Sequence, residues 1–148
     1  MLARVAWAGK PGAPAAALAP LSADEQQRFT AGQTLYLARC QACHQDNGRG
    51  QPNLGPALAG SAAVLGPAAM VTRVMLHGKE GAVGLMPPAG ATMTDEQVAS
   101  VLTYIRRAWD NTASPVDAAA VSGVRAQTAG RNRPWTEAEL LDVAADQR

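Results

Sequence analysis

An all-α protein is expected from these 148 residues, on three observations. Val98, Val101, Leu102, Ile105 and Trp109 recur at i, i+3, i+4, i+7 spacing, which lays one apolar stripe along a helix. Ser22-x-x-Glu25, Thr94-x-x-Gln97 and Thr136-x-x-Glu139 are capping-box patterns that open helices. No run alternates apolar and polar residues over a useful strand length, and no internal repeat is present.

The elements follow in order. Residues 1–21 are Pro- and Ala-rich and read as an extended arm or linker. The chain opens with Met1 and an early Arg4, as a secretion leader does. Its apolar run ends at Lys10 and Pro11, short of the ~7–15 residues such a leader needs. The expectation is a start inside a longer natural chain, or a replaced leader. A first helix should run from Ser22 to about Arg39, with Phe29, Gly32, Tyr36 and Cys40 on one face. Gly32 costs about 1 kcal/mol of helix propensity against alanine, so a close helix crossing is expected to offset it. Residues 45–66 read as loop. Pro67 suits the first turn of a middle helix that ends at His77, with Gly78 as its stop; Met70, Val71, Val74 and His77 share a face. Residues 78–93 read as loop again. A last core helix runs from Thr94 to about Trp109. Beyond Asn111 the composition shifts, with helices expected over 117–127 and after Thr136. The division is an arm over 1–21, a core domain over 22–110 and an extension over 111–148, packed on the core.

Composition narrows the function. Lys and Arg number 13 against 12 Asp and Glu, so no net field draws the chain to nucleic acid or anionic lipid. No run approaches the ~18 apolar residues of a membrane span. Aromatics are only 4% of the chain, beside 14 Gly and 10 Pro. A core of such small side chains is thin, and a bound cofactor would add apolar bulk. Arg106, Arg107, Arg125, Arg131 and Arg133 make the C-terminal half basic, but interleaved acids read as a solvated face rather than a docking face. No Gly-rich phosphate loop or Ser/His/Asp grouping stands out.

Cys40-Gln41-Ala42-Cys43-His44 holds both cysteines and one of two histidines. Three chemistries use such a cluster. Zinc would need His77 as fourth ligand, but zinc sites favour ligand pairs split by short spacers, and here Cys43 and His44 are adjacent. A dithiol redox motif sits best in a βαβ setting, and no strands are expected; a plain disulfide is the related reading. Covalent haem attachment suits Cys-x-x-Cys-His best: two thiols form thioethers on the vinyl groups and the adjacent imidazole meets the iron. A methionine opposite histidine raises the potential. Met70 and Met75 lie on the middle helix and Met93 just before the Thr94 cap, where apolar packing explains them. Met86 stands in Gly84-Leu85-Met86-Pro87-Pro88, where Pro87 and Pro88 stiffen the backbone after it. Met86 is the candidate sixth ligand. Met70, Val74 and Leu85 are candidate pocket-lining residues. His77 is read as an exposed helix-end residue or a propionate partner, and Arg73 and Lys79 as propionate partners or surface charge.

In this order the parts resemble a class I c-type cytochrome over residues 22–110: a helix with Gly32 and Tyr36 running into Cys40–His44, the loop Asn53-Leu54-Gly55-Pro56, a middle helix, Met86-Pro87-Pro88, and a last helix with Tyr104-Ile105-Arg106-Arg107. The resemblance implies a cytochrome c fold, in which first and last helices cross around one covalently attached haem c. It implies thioethers at Cys40 and Cys43, axial His44 and Met86, and a Pro56 carbonyl accepting from the His44 nitrogen that is not on iron. It implies an electron carrier rather than an enzyme, located in the periplasm or otherwise outside the cytoplasm. The flanks more loosely resemble cytochrome domains fused to or paired with quinoprotein (PQQ) sugar or alcohol dehydrogenases, which implies a dehydrogenase donor and a cytochrome or oxidase acceptor. A haem sensor or peroxidase-like enzyme with a labile sixth ligand is the alternative.

Overall fold

The computed structural model describes residues 18–82 and 84–146; residues 1–17 of the expected arm lie outside them. The helices are α1 (Ala23–Arg39), α2 (Gln41–His44), α3 (Ala62–Leu65), α4 (Ala68–His77), α5 (Asp95–Arg107), α6 (Ala118–Gln127) and α7 (Glu137–Asp146). A hairpin of β1 (Lys79–Gly81) and β2 (Gly84–Met86) follows α4.

The α1–α5 crossing organises the core. Both helices begin on complete capping boxes. Ser22 Oγ accepts from the Glu25 N–H at 3.2 Å and Glu25 Oε1 from the Ser22 N–H at 2.8 Å. Thr94 and Gln97 repeat the exchange at 3.1 and 2.9 Å, so two otherwise unpaired N–H groups are satisfied at each start. Gly32 lies at the crossing. A Cβ there would overlap the Ser100 carbonyl and stand 2.9 Å from Tyr104 Cβ. Around it Phe29 and Tyr36 meet the Tyr104 ring at centroid distances of 5.0 and 5.4 Å. Val98, Val101, Leu102 and Ile105 are buried as one stripe. α6 packs its Val121 and Val124 against α4 and α5.

The structure departs from the expected elements in three places. α5 stops at Arg107; Trp109 has a left-handed backbone, φ 55°. That turn swings the indole onto Tyr36 and Tyr104, at 5.2 and 5.5 Å, where aromatic contact outweighs one more helical residue. α3 forms inside the expected loop over 45–66, started by Ser61 Oγ accepting from the Val64 N–H at 3.3 Å. Met86, expected in a loop, ends a strand: Lys79 pairs with it across the β1–β2 hairpin. Segments of three or four residues carry no period to read.

Most of the C-terminal arginines are cross-links within the fold rather than the solvated face expected; Arg133, 64% exposed, stays at the surface. Arg106 is buried and donates to the carbonyls of Val64, Gly66 and Ser114 at 2.7, 2.7 and 2.8 Å, and to Ser114 Oγ at 3.2 Å. One guanidinium thus ties α3 and α5 to the segment before α6. Arg106→Ala should cost about 3–5 kcal/mol, because the Val64, Gly66 and Ser114 carbonyls lose a charged donor that is itself buried, and Arg106→Lys should recover part of it. Urea unfolding of the variants measures this, and a loss below about 1 kcal/mol would show the cross-link to be dispensable. Arg131 and Arg133 both pair with Glu139, at 2.7 and 2.8 Å, and the Arg131 guanidinium lies 3.5 Å above the Trp135 ring. The Arg131 hydrogen bond, then the Thr136 backbone N–H, push the Glu139 carboxyl down to about 2.

Candidate functional site

Cys40 closes α1, its N–H donating to the Tyr36 carbonyl at 2.8 Å. The chain then turns tightly over it. The Cys43 and His44 N–H groups both donate to the Cys40 carbonyl, at 3.2 and 3.0 Å. This brings both thiols and the imidazole onto one short turn. Gln45, left-handed at φ 66°, ends the turn, and its carbonyl accepts from the Tyr36 hydroxyl at 2.5 Å. The loop that follows is fastened behind the turn. Gly50 donates to the His44 carbonyl at 3.0 Å and Leu58 to the Gly48 carbonyl at 2.7 Å. Gly55 lies so close that a Cβ would stand 2.7 Å from the Cys43 oxygen and 3.1 Å from Cys43 Cβ.

His44 is buried, and its Nδ1 lies 2.8 Å from the Pro56 carbonyl oxygen. A carbonyl only accepts, so Nδ1 carries the proton and donates, and Nε2 keeps its lone pair for a metal. Both cysteines are free thiols. Burial pushes the Cys40 thiol up to about 11; Arg39 opposes that and the neighbouring Cys43 adds to it. Reactive redox cysteines are shifted the other way, and zinc takes the thiolate, which this environment disfavours. His77, the remaining zinc candidate, sits 2.7 Å from Thr128 Oγ1. The Thr128 hydroxyl proton is committed to the Val124 carbonyl at 2.8 Å, so His77 Nε2–H is the donor. Burial first, then Arg131, Arg125 and Arg73, lower the His77 pKa. His77 is therefore a neutral internal strut, not an exposed helix end. Arg73 donates to the Ala69 carbonyl and to Gln127, both at 3.0 Å, and Lys79 pairs with Glu137 at 2.7 Å. All three suggested propionate partners, His77, Arg73 and Lys79, thus have partners within the protein.

Met86 is half-buried against the apolar cluster that also holds Cys40. Gly78, at φ +81°, makes its placement possible: a Cβ there would overlap the Met86 carbonyl and stand 3.1 Å from Pro88 N. Ala89 and Gly90 N–H donate to the Met75 and Leu76 carbonyls at 2.9 and 3.1 Å, which docks the following loop on the end of α4. Met75 and Met93 are enclosed in the core. Met70 and Val74 are half-buried on α4, and Leu85 is 60% exposed. Sequence reasoning missed the loop fasteners. Asn111 accepts from Gly60 N–H at 2.8 Å and donates to the Leu58 and Ile105 carbonyls at 3.2 and 2.7 Å. Trp109 Nε1–H donates to the Asp46 carbonyl at 3.0 Å. Asn111 belongs to no periodic pattern, and the helical stripe that includes Trp109 points to apolar packing rather than to an indole donor, so nothing local marked either role.

Two thiols on one turn, an imidazole whose Nδ1 is tied to a carbonyl, and a half-buried thioether on the same apolar cluster suit a planar, covalently attached haem better than a tetrahedral ion. Residues 27–105 match the family described as cytochrome c oxidase, cbb3-type, subunit III. The chain is 34% identical over 110 residues to cytochrome c-552 of Thermus thermophilus, covering 66% of this chain and 78% of that protein. It is 28% identical over 116 residues to the cytochrome c subunit of alcohol dehydrogenase (quinone) from Gluconobacter oxydans strain 621H, covering 69% of this chain and 24% of the subunit. It is 32% identical over 111 residues to the fructose dehydrogenase cytochrome subunit of Gluconobacter japonicus, covering 67% and 23%. The chain therefore spans about a quarter of the length of these two dehydrogenase subunits. Family match, helical fold and donor set agree: the chain belongs to the cytochrome c family and is an electron carrier with covalently bound haem c.

Proposed function

We propose that His44 and Met86 are the axial ligands, that Cys40 and Cys43 carry the thioethers, and that Met70, Val74 and Leu85 line the pocket of a haem domain spanning residues 22–110. The hydrogen bond from His44 Nδ1 to the Pro56 carbonyl carries this reading, because it fixes both the ring orientation and the tautomer a metal needs. When bound, the haem supplies a one-electron Fe(II)/Fe(III) couple. The chain's own residues keep the ligands in place as the charge changes. Pro56 restrains the imidazole, the α1–α5 crossing fixes Cys40, and the Gly78 contact fixes the backbone of Met86. A Met86 thioether on the iron would favour the reduced state.

The donor is a quinoprotein-type alcohol or sugar dehydrogenase, fused or separate, and the acceptor a cytochrome or oxidase. The dehydrogenase cytochrome subunits among the relatives support the donor. The location is the periplasm, and no helix among the described residues is long and apolar enough to cross a membrane. Ferric protein mixed with such a dehydrogenase and its substrate should be reduced within the enzyme's turnover time, and hardly at all by substrate alone. No acceleration by the dehydrogenase removes it as donor. Denatured holoprotein should keep its haem through acidic acetone, with both thiols blocked to alkylation; haem lost to the acetone rejects the thioethers. Fast carbon monoxide binding by the ferrous protein would favour the sensor or peroxidase-like alternative.

A further inference from the structure

The C-terminal segment reaches the Met86 loop from two sides. On one side Trp135 pairs with the outer edge of β1. Its N–H donates to the Gly78 carbonyl at 3.0 Å and its carbonyl accepts from the Glu80 N–H at 2.9 Å. Gly78 is the residue packed against the Met86 carbonyl. On the other side Arg125, from α6, spans the end of the loop. Its Nη1 donates to the Gly90 carbonyl at 2.6 Å, its Nη2 to the Met93 carbonyl at 3.0 Å, and its Nε to Asp95 Oδ1 at 2.7 Å. Met93 shares the buried apolar cluster with Val121 and Val124 of α6, but at the Pro88–Gly90 part of the loop the extension stands off. A cavity of about 400 Å³ lies between them, lined by Pro88 and Gly90 on the loop side and by Ala129 and Pro134 on the other. Where packing leaves such a gap, discrete polar struts hold the position, and each charged hydrogen bond to a buried carbonyl carries more weight than a neutral one.

We infer that Arg125 is a positioning residue for the axial methionine: by bridging Gly90, Met93 and Asp95 it keeps the 86–93 loop closed and so keeps the Met86 sulfur on the iron. The inference rests on the reading of Met86 as sixth ligand. It gives the extension a role in electron transfer, since a loop that opens exchanges its sulfur for solvent and the oxidised and reduced states cease to share one geometry. Arg125 touches neither ligand, and its effect is transmitted through the loop backbone.

The test uses the full holoprotein as wild type, Arg125→Ala and Arg125→Lys. Two readouts apply: the ferric sulfur-to-iron charge-transfer band, and the rate of carbon monoxide binding to the ferrous protein, which samples the open loop. Wild type should show the band and bind carbon monoxide slowly. Arg125→Ala should lose much of the band and bind carbon monoxide roughly tenfold faster or more, the shift expected from losing charged hydrogen bonds to the closed state. Arg125→Lys, which keeps the charge but not the fork, should fall between. Helical circular dichroism matching wild type ensures that the change is in the loop, and Arg125→Lys serves if the alanine variant does not fold. A band and rate unchanged in the folded variants overturn the clamp alone. A wild type without the band overturns the Met86 reading itself, and the clamp with it.

Discussion

Met86→Ala should abolish the ferric charge-transfer band and lower the midpoint potential by on the order of 0.2 V, within the ~0.8 V range that axial ligands command. The thioether stabilises the reduced iron relative to the oxidised, and alanine leaves that position to water or to a stronger donor. The protein should stay folded, because Met86 is only half-buried and packs at the margin of the apolar cluster. Met93→Ala is the informative contrast. Met93 is 5% exposed and should lose stability, about 2–5 kcal/mol for a buried methionine, while keeping the band. Equilibrium redox titration, visible absorption and urea unfolding separate the two outcomes. A band that survives in Met86→Ala and vanishes in a variant of Met70 would move the ligand to α4.

Gly32→Ala should destabilise the fold by roughly 3 kcal/mol or more, although alanine is the better helix former by about 1 kcal/mol. The two effects oppose each other, and the contact decides. The new methyl would overlap the Ser100 carbonyl, a backbone atom that cannot rotate away, and press on Tyr104 Cβ. Relief requires α1 and α5 to separate, which would loosen the Phe29, Tyr36 and Tyr104 contacts and shift Cys40 at the end of α1. Lower haem incorporation should accompany the loss of stability. Ala31→Gly, an exposed change on the same helix, should cost only about 1 kcal/mol. A Gly32→Ala protein as stable as wild type would mean that the crossing has more slack than its geometry indicates.

Much of this molecule was legible from local chemistry. The caps at Ser22, Thr94 and Thr136 are contiguous patterns whose partners lie three residues away, so reading them needs no tertiary knowledge. The stripe on α5 is legible for the same cause: periodicity survives wherever a helix is long enough to repeat. On the proposed reading, Cys40, Cys43 and His44 are adjacent because one rigid ligand must meet all three, and Met86 stood out by its lack of a helix face to fill. What sequence reading missed was short or long-range. α3 and the β1–β2 hairpin are too brief to show a period, and Trp109 left the helix for partners on α1 and α5.

The arginines mark the boundary most sharply. Sequence reading could establish that they are cations among acids, and from composition alone that describes a solvated face. Packing decided otherwise. Arg106 reaches three carbonyls on two segments, the end of α3 and the stretch before α6, and Arg125 reaches three groups 30 to 35 positions away. A guanidinium has five donors in a rigid fork, and where they point depends on which backbone carbonyls the fold brings within about 3 Å. The sequence alone could specify the haem attachment turn, the helix starts and the candidate methionine, because each is written in neighbouring residues. The partners of His77, Arg73, Arg106 and Arg125 became visible only once the chain had closed on itself, because hydrogen bonding is short-ranged in space and indifferent to separation along the chain.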